Sequence, residues 1–345
     1  MKLFVTGVEG YIGCLLVPVL QARGHDVVGF DTGFYRDGWM FSDRSLVPGF
    51  ARTINRDIRE IELDDLRGMD AVVHMAELSN DPLGENDPDL TYLINHRASV
   101  RLAELAREAG VPRFVYTSSC SVYGLSDGRE AMTESSPTDP QTAYARCKTM
   151  VERDVMAMAS AAFSPVFLRN ATAYGASPRM RFDIVLNNLC GVAATAGRIV
   201  MTSDGTPWRP LVHVLDICQA IACALEAPRD TVHAQVFNVG HDADNYQVRE
   251  IAQIVAHAYP GCELSFGPPG GDNRSYRVSF EKIRTQLPGF QCKWDARQGA
   301  RQLHDVFERI GLDASVFNAR PFTRLKQIKY LLSSGQVDER LFWRY

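Results

Sequence analysis

Apolar residues recur along this chain in two rhythms. Short, nearly continuous runs read as buried strands: Lys2-Leu3-Phe4-Val5-Thr6, Val27-Val28-Gly29-Phe30-Asp31, Ala71-Val72-Val73-His74-Met75-Ala76 and Arg113-Phe114-Val115-Tyr116-Thr117. Ala51 to Ile58 reads as a further strand with a polar end. Elsewhere the apolar positions step by three and four, which predicts helices beginning at Cys14, over Thr91 to Ala109, and over Ala143 to Ala162. Gly110-Val111-Pro112 is a helix stop followed by a residue that cannot continue one. Strand and helix patterns in alternation mean βαβ units, so the predicted class is α/β with a mostly parallel sheet. From Pro321 to Tyr345 the pattern predicts an appended amphipathic helix with Trp343 and Tyr345 behind it, covering either the second lobe or a partner subunit.

Composition narrows the class without naming a chemistry. At 345 residues the chain can bury the core of one large domain or of two lobes. The net charge is −4 with both signs dispersed, which offers neither a nucleic-acid track nor a patch for anionic membranes. No apolar run reaches the ~20 residues of a membrane span, and the first residues do not read as a signal peptide, so a cytoplasmic protein is expected. The eight cysteines form no CxxC pair and lie mostly in apolar stretches. Reduced thiols are expected, with no disulfide frame and no metal site.

The chemistry begins where the first strand ends. Gly7-Val8-Glu9-Gly10-Tyr11-Ile12-Gly13 separates that strand from a helix start. Glycines allow a tight turn and a close backbone approach, while a helix N-terminus presents free N–H groups to a pyrophosphate. A packing turn with no ligand is the alternative reading of this GxxGxxG spacing. Asp31 then ends the second strand ~20 residues on, where an acid accepts ribose hydroxyls and repels a 2′-phosphate, favouring NAD over NADP. Asp57 stands either against the adenine or as a helix N-cap. The stretch Thr32–Phe50, rich in Gly, Asp and aromatics, reads as an insertion over the cofactor or substrate edge.

Farther along, Ser118-Ser119-Cys120-Ser121 follows a strand, at the carboxyl end where ligands sit in open α/β sheets. Tyr144 and Lys148 are four residues apart on one helix, so phenol and ammonium share a face. A phenol with a pKa near ~10 is a poor base until a cation favours its phenolate. With a serine donating to the same oxygen, Tyr144 is placed to take a proton from an alcohol while hydride leaves the carbon. His213 lies in an apolar strand-like run and reads as structural. Cys120 alternates away from Ser119 and reads as packing.

These residues, in this order, resemble the extended short-chain dehydrogenase/reductase family, in particular its NAD-dependent nucleotide-sugar epimerases and dehydratases. The likeness is carried by TGVEGYIG at 6–13, Asp31, Asp57-Ile58, VVHMA at 72–76, Asn95, SSCSVYG at 118–124, YARCK at 144–148 and RPLVHVLDI at 209–217, and it runs to roughly Gln302. It implies a Rossmann-type doubly wound parallel sheet over 1–170, with strand and helix returns near 208–240. A smaller C-terminal α/β substrate-binding lobe over 171–320 and a helical tail over 321–345 complete the expected organisation. The resemblance implies a catalytic set of Ser119, Tyr144 and Lys148. It implies a bound NAD held by Gly7, Gly10, Tyr11, Ile12, Gly13, Asp31, Asp57, Ile58, Met75, Ala76, Asn95 and Thr117, together with Tyr144 and Lys148. For the nucleotide-diphosphate sugar it implies Ser119, Ser121, Asn188 of the NNL run, Arg209 and Arg274. Thr172 stands where relatives place an asparagine. Arg179 and Arg181 read either as phosphate or sugar contacts or as a solvated basic loop.

Members of this group begin by oxidising a sugar hydroxyl to a ketone. Relatives that expel water carry an Asp-Glu pair just after the residue matching Ser119, and sugar-acid decarboxylases carry a glutamate there. Here those positions are Cys120 and Ser121. What remains is return of hydride to the opposite face, a C4 epimerisation through a transient 4-keto sugar. A C3/C5 epimerase using Cys120, a 4,6-dehydratase, a keto-reductase and a non-catalytic NAD-binding scaffold stand as alternatives. The helices near 91–109 and 144–162 match those that pair in family dimers, so a homodimer is expected.

Overall fold

The computed structural model describes residues 1–42, 52–79, 81–126, 130–270 and 275–344. Seven parallel strands form the central sheet: β1 (Lys2–Thr6), β2 (Asp26–Asp31), β3 (Arg52–Asn55), β4 (Ala71–His74), β5 (Arg113–Ser119), β6 (Ser164–Asn170) and β7 (Gln235–Val239). Their order is β7-β6-β5-β4-β1-β2-β3, with every neighbouring pair parallel. Every residue of β4 and β6 is buried, as expected of central strands in a parallel sheet covered on both faces.

Helices of ten residues or more are α1 (Gly13–Ala22), α2 (Ser99–Glu108), α3 (Ala143–Met156), α4 (Val185–Ala196), α5 (Val214–Glu226), α6 (Val248–Ala258), α7 (Ala296–Ile310) and α8 (Arg324–Ser333). Alternation along β1 sorts the two layers. Leu3 and Val5 join the core with Leu15 and Leu16 of α1 and Ile217 of α5. Phe4 joins the opposite core with Leu102 of α2, Val151 of α3 and Ile328 of α8. The sheet is therefore doubly wound, and its order reverses at β1/β4, which opens a crevice at the strands' carboxyl ends.

Two predicted helices differ from expectation. The 91–109 stretch is not one α-helix: Tyr92–Ala98 is π-helical and only Ser99–Glu108 is regular. The wider turn carries Asn95 and Ser99 inward, where both are fully buried. The helix at 143 ends at Met156, not Ala162. It starts cleanly because the Thr142 side chain accepts from Ala145 N at 3.2 Å.

A smaller lobe follows β6. Thr172–Tyr174 pairs parallel with Trp208–His213, which pairs antiparallel with Asn245–Gln247, and α4, α6 and α7 pack beside them. Thus Trp208–His213 belongs to this lobe, while α5 and β7 return to the central sheet. The tail departs from expectation in position. Only its first residues meet the smaller lobe, where Phe322 packs on Phe182, while α8 and the turn after it pack on Phe34, Ile58 and Ile94 at the edge of the central sheet. No helix among the described residues is long and apolar enough to cross a membrane.

Beneath the crevice lies a buried ion pair. Arg169 grips Glu152 through Nε and Nη2, the latter at 2.6 Å, and also donates to the Tyr123 hydroxyl at 3.0 Å. Glu152 in turn accepts from Ser118. Both charged residues are about 6% exposed, so removing one partner strands the other away from water. Glu152→Ala is expected to cost about 3–5 kcal/mol, read as a lower urea midpoint. The double variant Glu152→Met/Arg169→Met is expected to recover most of that loss.

Candidate active site

At the crevice the glycine loop comes close to its own chain. A Cβ on Gly13 would lie 2.1 Å from Gly7 O, and Gly7, at φ +78°, leaves 3.1 Å between such an atom and Ala76 N. No other side chain fits at position 13 without moving backbone. Tyr11 within the loop donates to Gly175 O at 2.7 Å, tying the loop to the smaller lobe. Asp31, at the end of β2, accepts from Glu9 N at 3.0 Å and Gly33 N at 2.8 Å, and burial raises its pKa.

This loop and Asp31 line one cavity together with Tyr11, Ile12, Asp57, Ile58, Met75, Ala76, Phe34 and Ile94. A glycine cradle, an acid at the β2 end and an apolar pocket form a set that fits a dinucleotide. Asp57 lines the cavity, but its carboxylate is held by Arg59, whose backbone N, Nε and Nη2 all donate at 2.7–2.8 Å. It caps the short turn at Ile58–Glu60.

A second cavity, about 490 Å³, adjoins the first along Ile12, Met75, Glu77, Ser79, Ala173 and Arg181. Ser119, Ser121, Tyr144, Lys148, Thr117, Thr172 and Arg209 all line it. Ser119 Oγ accepts from Ser121 N at 3.1 Å, which leaves its own O–H to point elsewhere. Ser121 Oγ and Asn170 Oδ1 are buried in this cavity wall with no hydrogen-bond partner among the described residues. Such orphaned polar atoms in a cavity wall fit a polar ligand.

Lys148 is nearly fully buried. Its Nζ donates to Thr117 O at 2.5 Å, lies 2.7 Å from Glu77 Oε2, and sits 5.4 Å from the Tyr144 ring centre. Burial alone would drain its proton, but the carboxylate of Glu77 and the neighbouring Tyr144 phenol hold its pKa above the ordinary lysine value. Tyr116 donates to Glu77 at 2.6 Å. Tyr144 itself is raised by burial, pulled down by Lys148, and pushed back up by Glu77.

Behind them, a hydrogen-bond relay fixes the β4 end. Ser99 donates to Asn95 O, so His74 Nε2 must be the atom that donates to Ser99; Nδ1 then accepts from Thr6. Burial lowers the His74 pKa to about 3, which keeps the ring neutral. Thr6 Oγ1 accepts from Met75 N and Ala76 N, setting the loop that carries Glu77.

Several expected contacts are not brought into either cavity. Asn95 is fully buried and spends its amide on Leu78, accepting from N at 2.8 Å and donating to O at 3.0 Å. It braces the loop that brings Glu77 and Leu78 into the wall of the dinucleotide cavity. Asn188 donates to Phe182 O at 2.9 Å and lines neither cavity, because α4 turns it toward the chain before it. Arg179 donates to the carbonyls of Tyr35 and Arg36 and stacks over Trp39, so it is a strut between lobes. Arg181, two residues on, lines both cavities while held by Asp183 at 2.9 Å. Arg274 lies outside the described residues, as do positions 43–50 of the inserted loop.

Cys120 points away from the cavity and donates to Arg169 O, with its pKa driven up by burial. His213 is structural: it stacks on Trp294, accepts from Leu215 N, and meets Gln302 at 2.9 Å. The residues that sequence reasoning missed are Glu77 and Arg324, the latter reaching the dinucleotide cavity from α8. Glu77 carries one legible signal, a charged residue in the loop just past a fully buried strand.

Comparison with known proteins gives this geometry a family. The family model for the NAD dependent epimerase/dehydratase family matches residues 3–240. The UDP-glucose 4-epimerase of Corynebacterium glutamicum is 30% identical over 309 residues, covering 83% of this chain and 90% of the relative. Among solved structures, MoeE5 in complex with UDP-glucuronic acid and NAD superposes with a TM-score of 0.76 at 28% identity, covering 90% of this chain and 99% of that one. UDP-glucose-4-epimerase from Stenotrophomonas maltophila, with bound NAD and formylated UDP-arabinopyranose, gives a TM-score of 0.77 at 25% identity over 90% and 99% of the two chains. With the glycine cradle, Asp31 and the Ser119/Tyr144/Lys148 cluster all in place on this sheet, the chain belongs to the NAD-dependent epimerase/dehydratase family, and NAD is its cofactor.

Proposed function

We propose that the protein is a nucleotide-diphosphate-sugar epimerase acting at C4 of the sugar. The observation that carries this reading is the convergence of Ser119, Tyr144 and Lys148 on a cavity that adjoins the dinucleotide site, without a carboxylate at positions 120 and 121. NAD supplies the hydride acceptor and, in the return step, the donor.

The chain's own residues manage the proton and the pose. Tyr144 takes the proton of the sugar hydroxyl as phenolate, and the Lys148 cation stabilises that charge. Ser119 keeps a free O–H for the same sugar oxygen. Arg209, in the cavity wall, supplies a guanidinium group suited to the sugar nucleotide's diphosphate. In return, the phenol gives its proton back to the same oxygen after the sugar has turned its other face.

Glu77 favours a second reading, a dehydratase in which it moves the proton on the adjacent carbon, because it is a carboxylate in the wall of this cavity. Its two oxygens already serve Lys148 and Tyr116. That engagement supports the epimerase. The matched helices leave Leu93, Val100 and Met150 only half-buried on their outer faces, which supports a homodimer as the working form.

Four outcomes are expected. A panel of nucleotide sugars incubated in deuterated water will give a new isomer of unchanged mass by NMR and mass spectrometry. Deuterium uptake would move the chemistry to C3 or C5, and loss of water would give the site to a dehydratase. Tyr144→Phe will lower kcat by ~10²–10⁴. Because the Glu77 charge raises the phenol's pKa, Glu77→Gln will shift the acid limb of the kcat–pH profile to lower pH. Light scattering at micromolar concentration will give twice the 38.4 kDa chain mass.

A further inference from the structure

The C-terminal strap grips both loops that frame the dinucleotide cavity. After β2, Gln327 Nε2 donates to Phe34 O at 2.8 Å and Trp343 Nε1 donates to Thr32 O at 2.7 Å. The indole also packs on Phe34, with ring centres 5.8 Å apart. After β3, the Arg59 guanidinium that chelates Asp57 lies 3.8 Å from the centre of the Phe342 ring. Between these anchors, Ile328, Leu331, Val337 and Leu341 are buried in the same core as Ile58 and Ile94 of the cavity wall.

The strap also delivers a charge. Arg324, at the start of α8, is 2% exposed and lines the dinucleotide cavity. Its guanidinium lies 4.0 Å from the Tyr35 ring centre. Among the described residues its hydrogen-bond acceptors are two backbone carbonyls, Pro321 O at 3.3 Å and Arg179 O at 3.5 Å. Both contacts are long for a charged donor, so the cation is buried with weak satisfaction. Its backbone N, not its guanidinium, reaches Asp183 at 3.3 Å, and the same carboxylate chelates Arg181.

Two guanidinium groups and one carboxylate leave this corner with a net positive charge. Burial and the neighbouring Arg181 lower the Arg324 pKa to about 10, so it stays charged at neutral pH. Arg324 shares the wall of the dinucleotide cavity with Gly10, Tyr11, Ile12 and Gly13 at the start of α1. The helix start offers free N–H groups to an anion, and a buried cation lines the same cavity.

We propose that Arg324, delivered by the C-terminal strap and working with Arg181, binds the diphosphate of NAD, so that residues 324–344 act as a clasp on the cofactor. The inference rests on NAD as cofactor and holds whichever sugar carbon reacts. It accounts for the tail's anchoring on cofactor-side loops and for a buried arginine with only weak carbonyl contacts.

The test compares the full-length enzyme with Arg324→Gln and the charge-keeping Arg324→Lys. NAD content after gel filtration and NAD dissociation constants are measured, followed by ADP, adenosine and UDP binding after removal of bound NAD. Arg324→Gln is expected to lose NAD on the column and to bind it roughly 10- to 100-fold more weakly. ADP binding is expected to fall by a similar factor while adenosine, which lacks the diphosphate, binds as in wild type. Arg324→Lys is expected to lie between. Unchanged NAD retention in Arg324→Gln would overturn the proposal, and so would equal weakening of adenosine and ADP, which marks mere support of the adenine pocket. Weaker UDP binding with ADP unchanged would also overturn it, by placing the cation on the substrate's diphosphate. A failed epimerase assay would leave these binding results untouched.

Discussion

Everything at the site depends on one topological constraint, the reversal of strand order between β1 and β4. The chain leaves those two strands toward opposite layers, so their carboxyl ends are not roofed by a common helix. The backbone that crosses the opening must then run very close to itself, as Gly13 does over Gly7 O. Thr6 at the end of β1 holds the β4 loop by accepting from Met75 N and Ala76 N. The two rims of the crevice are thereby fixed to each other before any ligand arrives.

Into this crevice the fold sets a buried ammonium, and burying an isolated charge costs several kcal/mol even after relaxation. Lys148 is tolerated because Glu77 at 2.7 Å and Thr117 O at 2.5 Å replace its water shell. The same carboxylate works against the phenolate that Lys148 is there to favour. Tyr144 thus sits between a cation that lowers its pKa and an anion that raises it. The pair holds the lysine in place beside the phenol.

The sequence made the local parts legible and hid the distant ones. Gly7, Gly10 and Gly13 are readable because one turn and one close approach lie within seven residues. Tyr144 and Lys148 are readable because helix geometry alone puts residues four apart on a face. The Asn95–Leu78 brace is not legible, because a π-turn sets it and no residue in a leucine- and alanine-rich run announces that turn. Arg179 and Arg181 are indistinguishable in a Ser-Pro-Arg-Met-Arg loop. Only the packed structure gives one to carbonyls and the other to both cavities. Arg324 is 311 residues from Gly13 in sequence, and no spacing rule reaches that far. The tail's amphipathic pattern was visible, but a pattern states that a face is buried and not against what.

The same distinction bears on the reaction. A carboxylate in the right cavity is not yet a general acid, because it must be free to exchange its proton in the transition state. Glu77 meets the first condition and fails the second as the chain stands: it bonds Tyr116 through one oxygen and faces Lys148 through the other. For Glu77 to work on a sugar carbon, Lys148 would have to give up its carboxylate while still buried, leaving an unpaired ammonium beside the phenol. Breaking a buried pair in this way typically costs 3–5 kcal/mol, which is roughly 10²–10³·⁵ in rate. A general acid–base group contributes typically 10²–10⁴, so recruiting Glu77 would forfeit most of what it offered. The pairing that makes the lysine possible therefore argues against elimination and leaves proton transfer at one oxygen, through Tyr144, as the chemistry this arrangement favours.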